Sequence, residues 1–204
     1  MRVVCISDTH GHHDFEVPHG DLLIHAGDCS RRGRPREILA FNHWLGTLPH
    51  PHKVVIAGNH DFAFEQNPTA REWITHATYL QDELFEVDGL RIWGSPWQPR
   101  FFDWAFNLDR GAPLAEKWAQ IPAEVDILVT HGPPHGILDR VHRGENVGCR
   151  ALLDAVLGRK PTLHVFGHIH EAYGVLEDHG VCFANASTCT VDHRPVNPPL
   201  VFEV

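Results

Sequence analysis

Lysine and arginine are in deficit, with 17 basic residues against 26 acidic ones and a formal net charge of −9. Without a basic excess the chain cannot neutralise a run of phosphates, which argues against a long nucleic acid as partner. No apolar run approaches the roughly 20 residues of a membrane span, so no membrane partner is expected. The cysteines Cys5, Cys29, Cys149, Cys182 and Cys189 are odd in number and lack C-x-x-C spacing. That disfavours both a disulfide framework and a structural thiolate zinc site. The N-terminus enters strand-like sequence with no basic region, apolar core and cleavage site before it, and the expected location is therefore the reducing cytoplasm. Repeats, low-complexity stretches and linkers are also missing. The expectation is one domain over 1–204, large enough to bury about 70% of its unfolded surface. The sequence sets no oligomeric state.

What the chain does have is histidine, 18 of them, and the informative ones follow strand-like runs. Arg2 to Ser7 leads into Asp8-Thr9-His10, and Leu22 to Ala26 into Gly27-Asp28. Val54 to Ala57 leads into Gly58-Asn59-His60-Asp61, Ile127 to Thr130 into His131-Gly132, and Leu163 to Phe166 into Gly167-His168-Ile169-His170. Short β-branched runs broken by glycine predict central strands, and open α/β sheets carry their sites just past the C-terminal strand ends. Between them, Ile38, Phe41, Trp44, Leu45 and Leu48 recur at helical spacing after Pro35. Asn67-Pro68-Thr69 predicts a helix start running to His76, and Asp88-Gly89 a hairpin turn between Glu83–Val87 and Leu90–Trp93. Further helices are expected over 113–120 and 147–157, further strands over 173–176, 181–184 and 200–204. The segment His193 to Pro199 looks like an extended connection.

Asp8, His10, Asp28, Asn59, His131, His168 and His170 are the carboxylate, amide and imidazole types that hard or borderline divalent ions take. Two ions need about eight ligand places, which these seven side chains fill if one carboxylate is shared. Asp28 is the natural bridge, because its strand should lie beside the first. Such a pair lowers the pKa of bound water and clamps the attacking and leaving oxygens of a displacement at phosphorus.

In this order, Asp8-x-His10, Gly27-Asp28, Gly58-Asn59-His60-Asp61, His131-Gly132 and Gly167-His168-Ile169-His170 resemble the signature of the calcineurin-like metallophosphoesterases. The stretches 21–28, 94–99, Thr130 to Pro134 and Asn197-Pro198-Pro199 bring the chain closest to the metallophosphoesterase-domain-containing subgroup named for a fetal-brain protein. The resemblance implies an α/β/β/α sandwich of two mixed β-sheets flanked by helices. It implies that Asp8, His10 and His170 hold one ion, Asn59, His131 and His168 the other, and that Asp28 bridges. His60 would then face the substrate, bonding a phosphate oxygen or protonating the leaving alkoxide, with Asp61 orienting its imidazole. The two divalent ions would be manganese, iron or zinc, with manganese favoured. The implied reaction is attack by a metal-bridging hydroxide on a small phosphodiester, the cyclic nucleotide being the subgroup's suggestion.

Three rivals compete with this reading. His10-x-His12-x-Asp14 is most of a metallo-β-lactamase pattern, but Phe15 stands where its last histidine belongs, and His12 and His13 are better read as loop histidines. The block from Gly27 to Gly33 resembles that of the protein Ser/Thr phosphatases with Arg31 in place of an aspartate, which keeps a phosphomonoesterase in view. A metal-binding interaction scaffold is the third, although such proteins lose ligands and none is missing here. Besides Asn59 and His60, the expected substrate-facing residues are Trp97, Gln98 and Arg32. The polar pair Asn185 and Ser187 sits at a strand end where it would support the site.

Overall fold

A strand covered on both faces sends successive side chains into two different cores. In the computed structural model, which describes residues 1–204, β1 (Arg2–Ile6) does so: Val3 and Cys5 enter one buried cluster, Val4 and Ile6 another. The elements that follow are β2 (Leu22–Ala26), α1 (Pro35–Thr47), β3 (His52–Ile56), α2 (Phe62–Gln66), β4 (Thr78–Tyr79), β5 (Glu83–Val87) and β6 (Leu90–Ser95). After these come β7 (Gln98–Pro99), β8 (Asn107–Leu108), α3 (Ala112–Trp118), β9 (Ile127–Thr130), α4 (Arg150–Arg159), β10 (Leu163–Phe166), β11 (Gly174–Asp178), β12 (Val181–Asn185) and β13 (Leu200–Glu203).

One sheet has the order β13-β1-β2-β3-β4 and the other β11-β12-β10-β9-β6-β5. The strands that precede the polar motifs are central and parallel, while the antiparallel pairings lie at the edges, where β13, β11 and β5 sit. Alternation then builds three cores. Leu22, Ile24, Val54 and Ile56 meet Ile127, Val129, Leu163 and Val165 between the sheets. On the outer face of the first sheet, Leu23 and Val55 pack on Ile38, Phe41, Trp44 and Leu45 of α1. On the outer face of the second, Leu128, Phe166 and Phe183 pack on Leu114 and Trp118 of α3 and Leu152 and Val156 of α4. The result is the four-layer α/β/β/α sandwich of two mixed sheets. No helix is long and apolar enough to cross a membrane.

The hairpin is where Asp88-Gly89 predicts it, with φ of 47° and 85° at the two turn residues. The helix expected from Asn67 is not formed. The residue before a proline is pushed out of the helical region, and Asn67 instead ends α2 with φ −128° and ψ 109°, its Oδ1 accepting the Thr69 amide and hydroxyl. Only a single 3₁₀ turn, Ala70–Trp73, follows. The strand of two residues at Thr78–Tyr79 is too short to show as a period.

Candidate metal centre

The two sheets are joined where their site-bearing strands end. Ser7 bridges to Ser187 and Thr188 N–H donates to Ser7 O (2.8 Å), while within the second sheet Gly167 N–H donates to His131 O (2.9 Å). This brings Asp8, His10 and His170 together, with donor atoms within 4.8 Å of one another, and Asp8, Asp28 and His131 likewise. Asp28 lies between two groups. Its Oδ2 is 3.9 Å from His10 Nε2 and its Oδ1 is 3.5 Å from His131 Nε2. Asn59 Oδ1 is 2.8 Å from His131 Nε2, and the His168 ring is centred 5.1 Å from that of His131. All seven expected ligands are therefore in one place.

The hydrogen bonds behind the rings say what they face. His131 donates Nδ1–H to Ala26 O (2.9 Å), His170 to Thr190 O (2.9 Å) and His10 to Ser30 O (3.2 Å). Each bond fixes the tautomer that leaves Nε2 as a lone pair aimed inward. The Nε2 atoms of His10 and His170 then point at each other across 3.3 Å, and His170 Nε2 lies 3.2 Å from Asp8 Oδ1. Lone pairs so opposed need a cation between them, a proton or a metal ion, and this donor set fits divalent ions. Burial alone would lower His131 and His170, but Asp28 outweighs it for the first and Asp8 for the second, and both rise to about 9. Burial lowers His10 to about 4 and His168 to about 3. Burial would raise Asp8, yet its bond to His170 and the neighbouring histidines hold it well below the usual carboxylate range.

The backbone is bent to do this. Asp8, His10, Asp28 and His168 all have positive φ, between 46° and 69°, a conformation uncommon for side-chain-bearing residues and typical of functional sites. Asp8 is held from behind as well. Its Oδ2 accepts the Ser187 hydroxyl and the His168 amide, both at 3.0 Å, while Asn185 Oδ1 accepts the Ser187 N–H (3.2 Å) and Asn185 Nδ2 donates to Ile169 O (2.8 Å). The expected support from Asn185 and Ser187 is thus a direct contact. A Cβ at Gly58 would lie 2.3 Å from Asp28 Oδ1, and one at Gly167 would lie 2.0 Å from Asp8 Oδ2. Gly167→Ala is expected to lower stability by about 1–3 kcal/mol, the usual cost of overpacking, and to weaken metal uptake. Chemical denaturation and metal analysis of the variant check both.

Not every expected site residue is at the site. Asp61 does not orient His60. The His60 Nδ1 donates to Arg31 O (2.9 Å), whereas the Asp61 carboxylate turns inward and accepts from Gly58 N, Cys29 N, Ser30 N and Ser30 Oγ. It ties the turn together. Gln98 is buried, with Nε2 donating to Ala105 O (2.9 Å), because β7 pairs with β8 and turns this side chain inward. Trp97 is held away from the centre, its Nε1 donating to Asp82 Oδ2 and its ring covered by Lys117. Arg32 does line the open cavity beside the centre, with Arg31 and Arg34. His13 stacks on Trp44, and His12 contacts Arg31, so neither joins the ligand group.

Two residues at the cavity were not singled out by pattern. Trp104 packs its ring 4.1 Å from that of His60, the place expected for Trp97. His193 lies 4.5 Å from the His10 ring and 6.2 Å from the His60 ring. It follows no strand, and only the tight turn in which His193 N–H donates to Thr190 O (2.8 Å) carries it back to the centre.

With this geometry the comparison with known proteins can be stated. The model of the calcineurin-like phosphoesterases matches residues 1–172. The chain belongs to the calcineurin-like phosphoesterase family. Metallophosphoesterase domain-containing protein 1 of Homo sapiens is 48% identical over 230 residues, covering 100% of this chain and 71% of the human protein. A probable cyclic nucleotide phosphodiesterase of Synechococcus is 25% identical over 158 residues, covering 75% of this chain and 59% of that one. The crystal structure of TT1561 of Thermus thermophilus superposes with a TM-score of 0.62 at 14% identity, covering 90% of this chain and 88% of that one, and so shares the fold. Membership of the calcineurin-like phosphoesterases makes the protein a metal-dependent phosphoesterase.

Proposed function

We propose that this phosphoesterase hydrolyses small phosphodiesters, cyclic nucleotides among them, with His60 as the catalytic imidazole beside two divalent ions. The observation that carries the reading is the position of His60. It is not among the seven expected ligands, although it forms with His10 and Asp28 a third cluster able to hold an ion; its Nε2 is 3.9 Å from Asp28 Oδ2, and its ring lines an open cavity of about 1040 Å³.

Asp8, His10 and His170 would hold one ion, Asn59, His131 and His168 the other, and Asp28 both, with manganese the first metal to test. Bound there, the ions supply Lewis acidity at the phosphoryl oxygens and lower the pKa of a water. His60 is pinned through Nδ1, so Nε2 meets the substrate as it arrives, bonding a phosphoryl oxygen or giving a proton to the departing alkoxide. Trp104 and Phe62 wall the same cavity with apolar surface. The cavity's three arginines, Arg31, Arg32 and Arg34, face Asp103 and Asp192, and Arg31 is already bonded to His10 O and His12. The small positive excess suits the single charge of a diester better than a dianionic monoester. The Synechococcus relative supports the cyclic-nucleotide part.

The test is a metal-reconstituted assay comparing an aryl phosphodiester, an aryl phosphomonoester, cyclic nucleotides and a phosphopeptide. Diester turnover should exceed monoester turnover. Preference for the monoester or phosphopeptide would overturn the diester reading, and no turnover with any metal would favour a non-catalytic scaffold.

Metal uptake should also depend on pH in a defined direction. His131 and His170 are raised to about 9 in the metal-free chain, and a ligand nitrogen must lose its proton to bind. Between their ordinary value near 6.5 and about 9, metal and proton therefore compete. Calorimetry in buffers of different ionisation enthalpy should show close to two protons released near pH 7 and affinity rising towards pH 9. A raised pKa stabilises the fold below the unfolded value and loses that contribution as pH passes the folded value. The melting temperature of the metal-free protein should accordingly fall over the same window.

A further inference from the structure

The metal centre opens on two sides. One is the broad cavity beside His60. The other, beyond Phe101, is a more enclosed cavity of about 330 Å³ walled by Pro99, Phe101, Pro133 and Val147, with His168 at its mouth. Phe101, His168 and Glu171 also line the depression over the centre that contains Asp28, Asn59 and His60, so this cavity adjoins the ligand residues.

The walls of this second cavity are flat, and its charged lining consists of Arg100, Arg110 and Glu171. Arg100 Nε donates to Asp109 Oδ1 (2.7 Å), and Arg110 Nη1 donates to Gly148 O (2.7 Å). Their held guanidinium planes offer stacking surface, while Arg110, whose partners Gly148 O and Val147 O are neutral carbonyls, keeps its charge. Phe101 is 57% exposed, and no core residue accounts for its place. It is held there by Asn107, whose Oδ1 accepts Phe101 N–H (3.3 Å) and whose Nδ2 donates to Phe101 O (3.3 Å) and Phe102 O (2.9 Å). Exposed apolar surface beside a reaction centre marks a place that a ligand covers.

We infer that this cavity receives the ester substituent that stays on phosphorus, and that it selects a planar ring. The inference rests on the diester reading above. Water forms the new P–O bond, the P–O bond to the leaving alkoxide breaks on the His60 side, and that alkoxide takes a proton. In an acyclic diester the other ester bond stays intact, its ring lying between Phe101 and Pro133; a cyclic nucleotide, whose two ester oxygens share one sugar, has no such separate substituent. A monoester has no group to place there.

The experiment uses the manganese-loaded full chain and p-nitrophenyl diesters that share the leaving group and differ in the retained one, methyl or phenyl. Wild-type kcat/KM should be about tenfold or more higher for phenyl, the gain expected from burying part of one ring. Phe101→Ala removes a wall at an exposed position, and Val147→Phe fills the space; in each, the phenyl-to-methyl ratio should fall towards one. Equal kcat/KM for the two esters in wild type, or a folded Phe101→Ala protein that keeps the wild-type ratio, would overturn the assignment. Failure to cleave even the methyl ester would instead remove the diester reading on which it stands.

Discussion

His60→Ala is expected to keep its metal ions and to lose turnover, with kcat falling roughly a hundred- to ten-thousand-fold, the range for removing a positioned general acid or base. The reasoning is geometric. His60 contributes its backbone N–H to Asp28 Oδ1 (2.8 Å), and alanine retains that bond. Its ring is anchored to Arg31 O on one side and meets the open cavity on the other, and none of the seven candidate ligands depends on it for position. The loss should appear mainly in kcat, because a proton transferred to the leaving group matters in the transition state alone. A good leaving group needs that proton least. The defect should therefore be smaller for a nitrophenyl ester than for an alkyl ester. Metal analysis alongside turnover of both esters decides it: parallel loss of metal and activity would make His60 a ligand instead.

Asp28→Ala should have the opposite signature, with metal and activity lost together. This carboxylate is almost fully buried and points one oxygen towards His10 and His60, the other towards His131. No neighbouring side chain can replace it, since Asp8 is held by Ser187 and His170 and Asp61 is turned into the backbone. Even residues that merely support ligands commonly cost ten- to a hundredfold in metal affinity, so loss of a shared ligand should exceed about a hundredfold. Asp28→Asn is the sharper form, because it preserves shape and removes charge. Without the charge, burial prevails at His131 and lowers its pKa, and the proton release on metal binding should diminish. Full metal content with wild-type turnover in either variant would end the bridging assignment.

The residues that proved legible share a local cause. A buried parallel strand is an unbroken apolar run, and its end is marked by glycine and polar side chains. Leu22–Ala26 and Leu163–Phe166 accordingly have the bounds the pattern predicts. The ligand types could be read because hard-ion chemistry restricts them to few side chains. Trp97, Gln98 and Asp61 went astray for the complementary reason, that direction is not local. The β7–β8 pairing turns Gln98 inward, the bond to Asp82 holds Trp97 away from the centre, and the turn at Gly58 folds Asp61 inward beneath the chain it closes.

By itself, then, the sequence determined the central strands and which seven side chains have ligand chemistry, since both follow from side-chain period and type, while the four-layer arrangement was implied by the family resemblance. Which further rings line the cavity was decided by tertiary structure. Trp104 and His193 reach the centre from loops that no strand pattern marks, and the opposed lone pairs of His10 and His170 arise between residues 160 positions apart. Such contacts exist only once two sheets are packed, because the carbonyls that orient each imidazole belong to other segments of the chain.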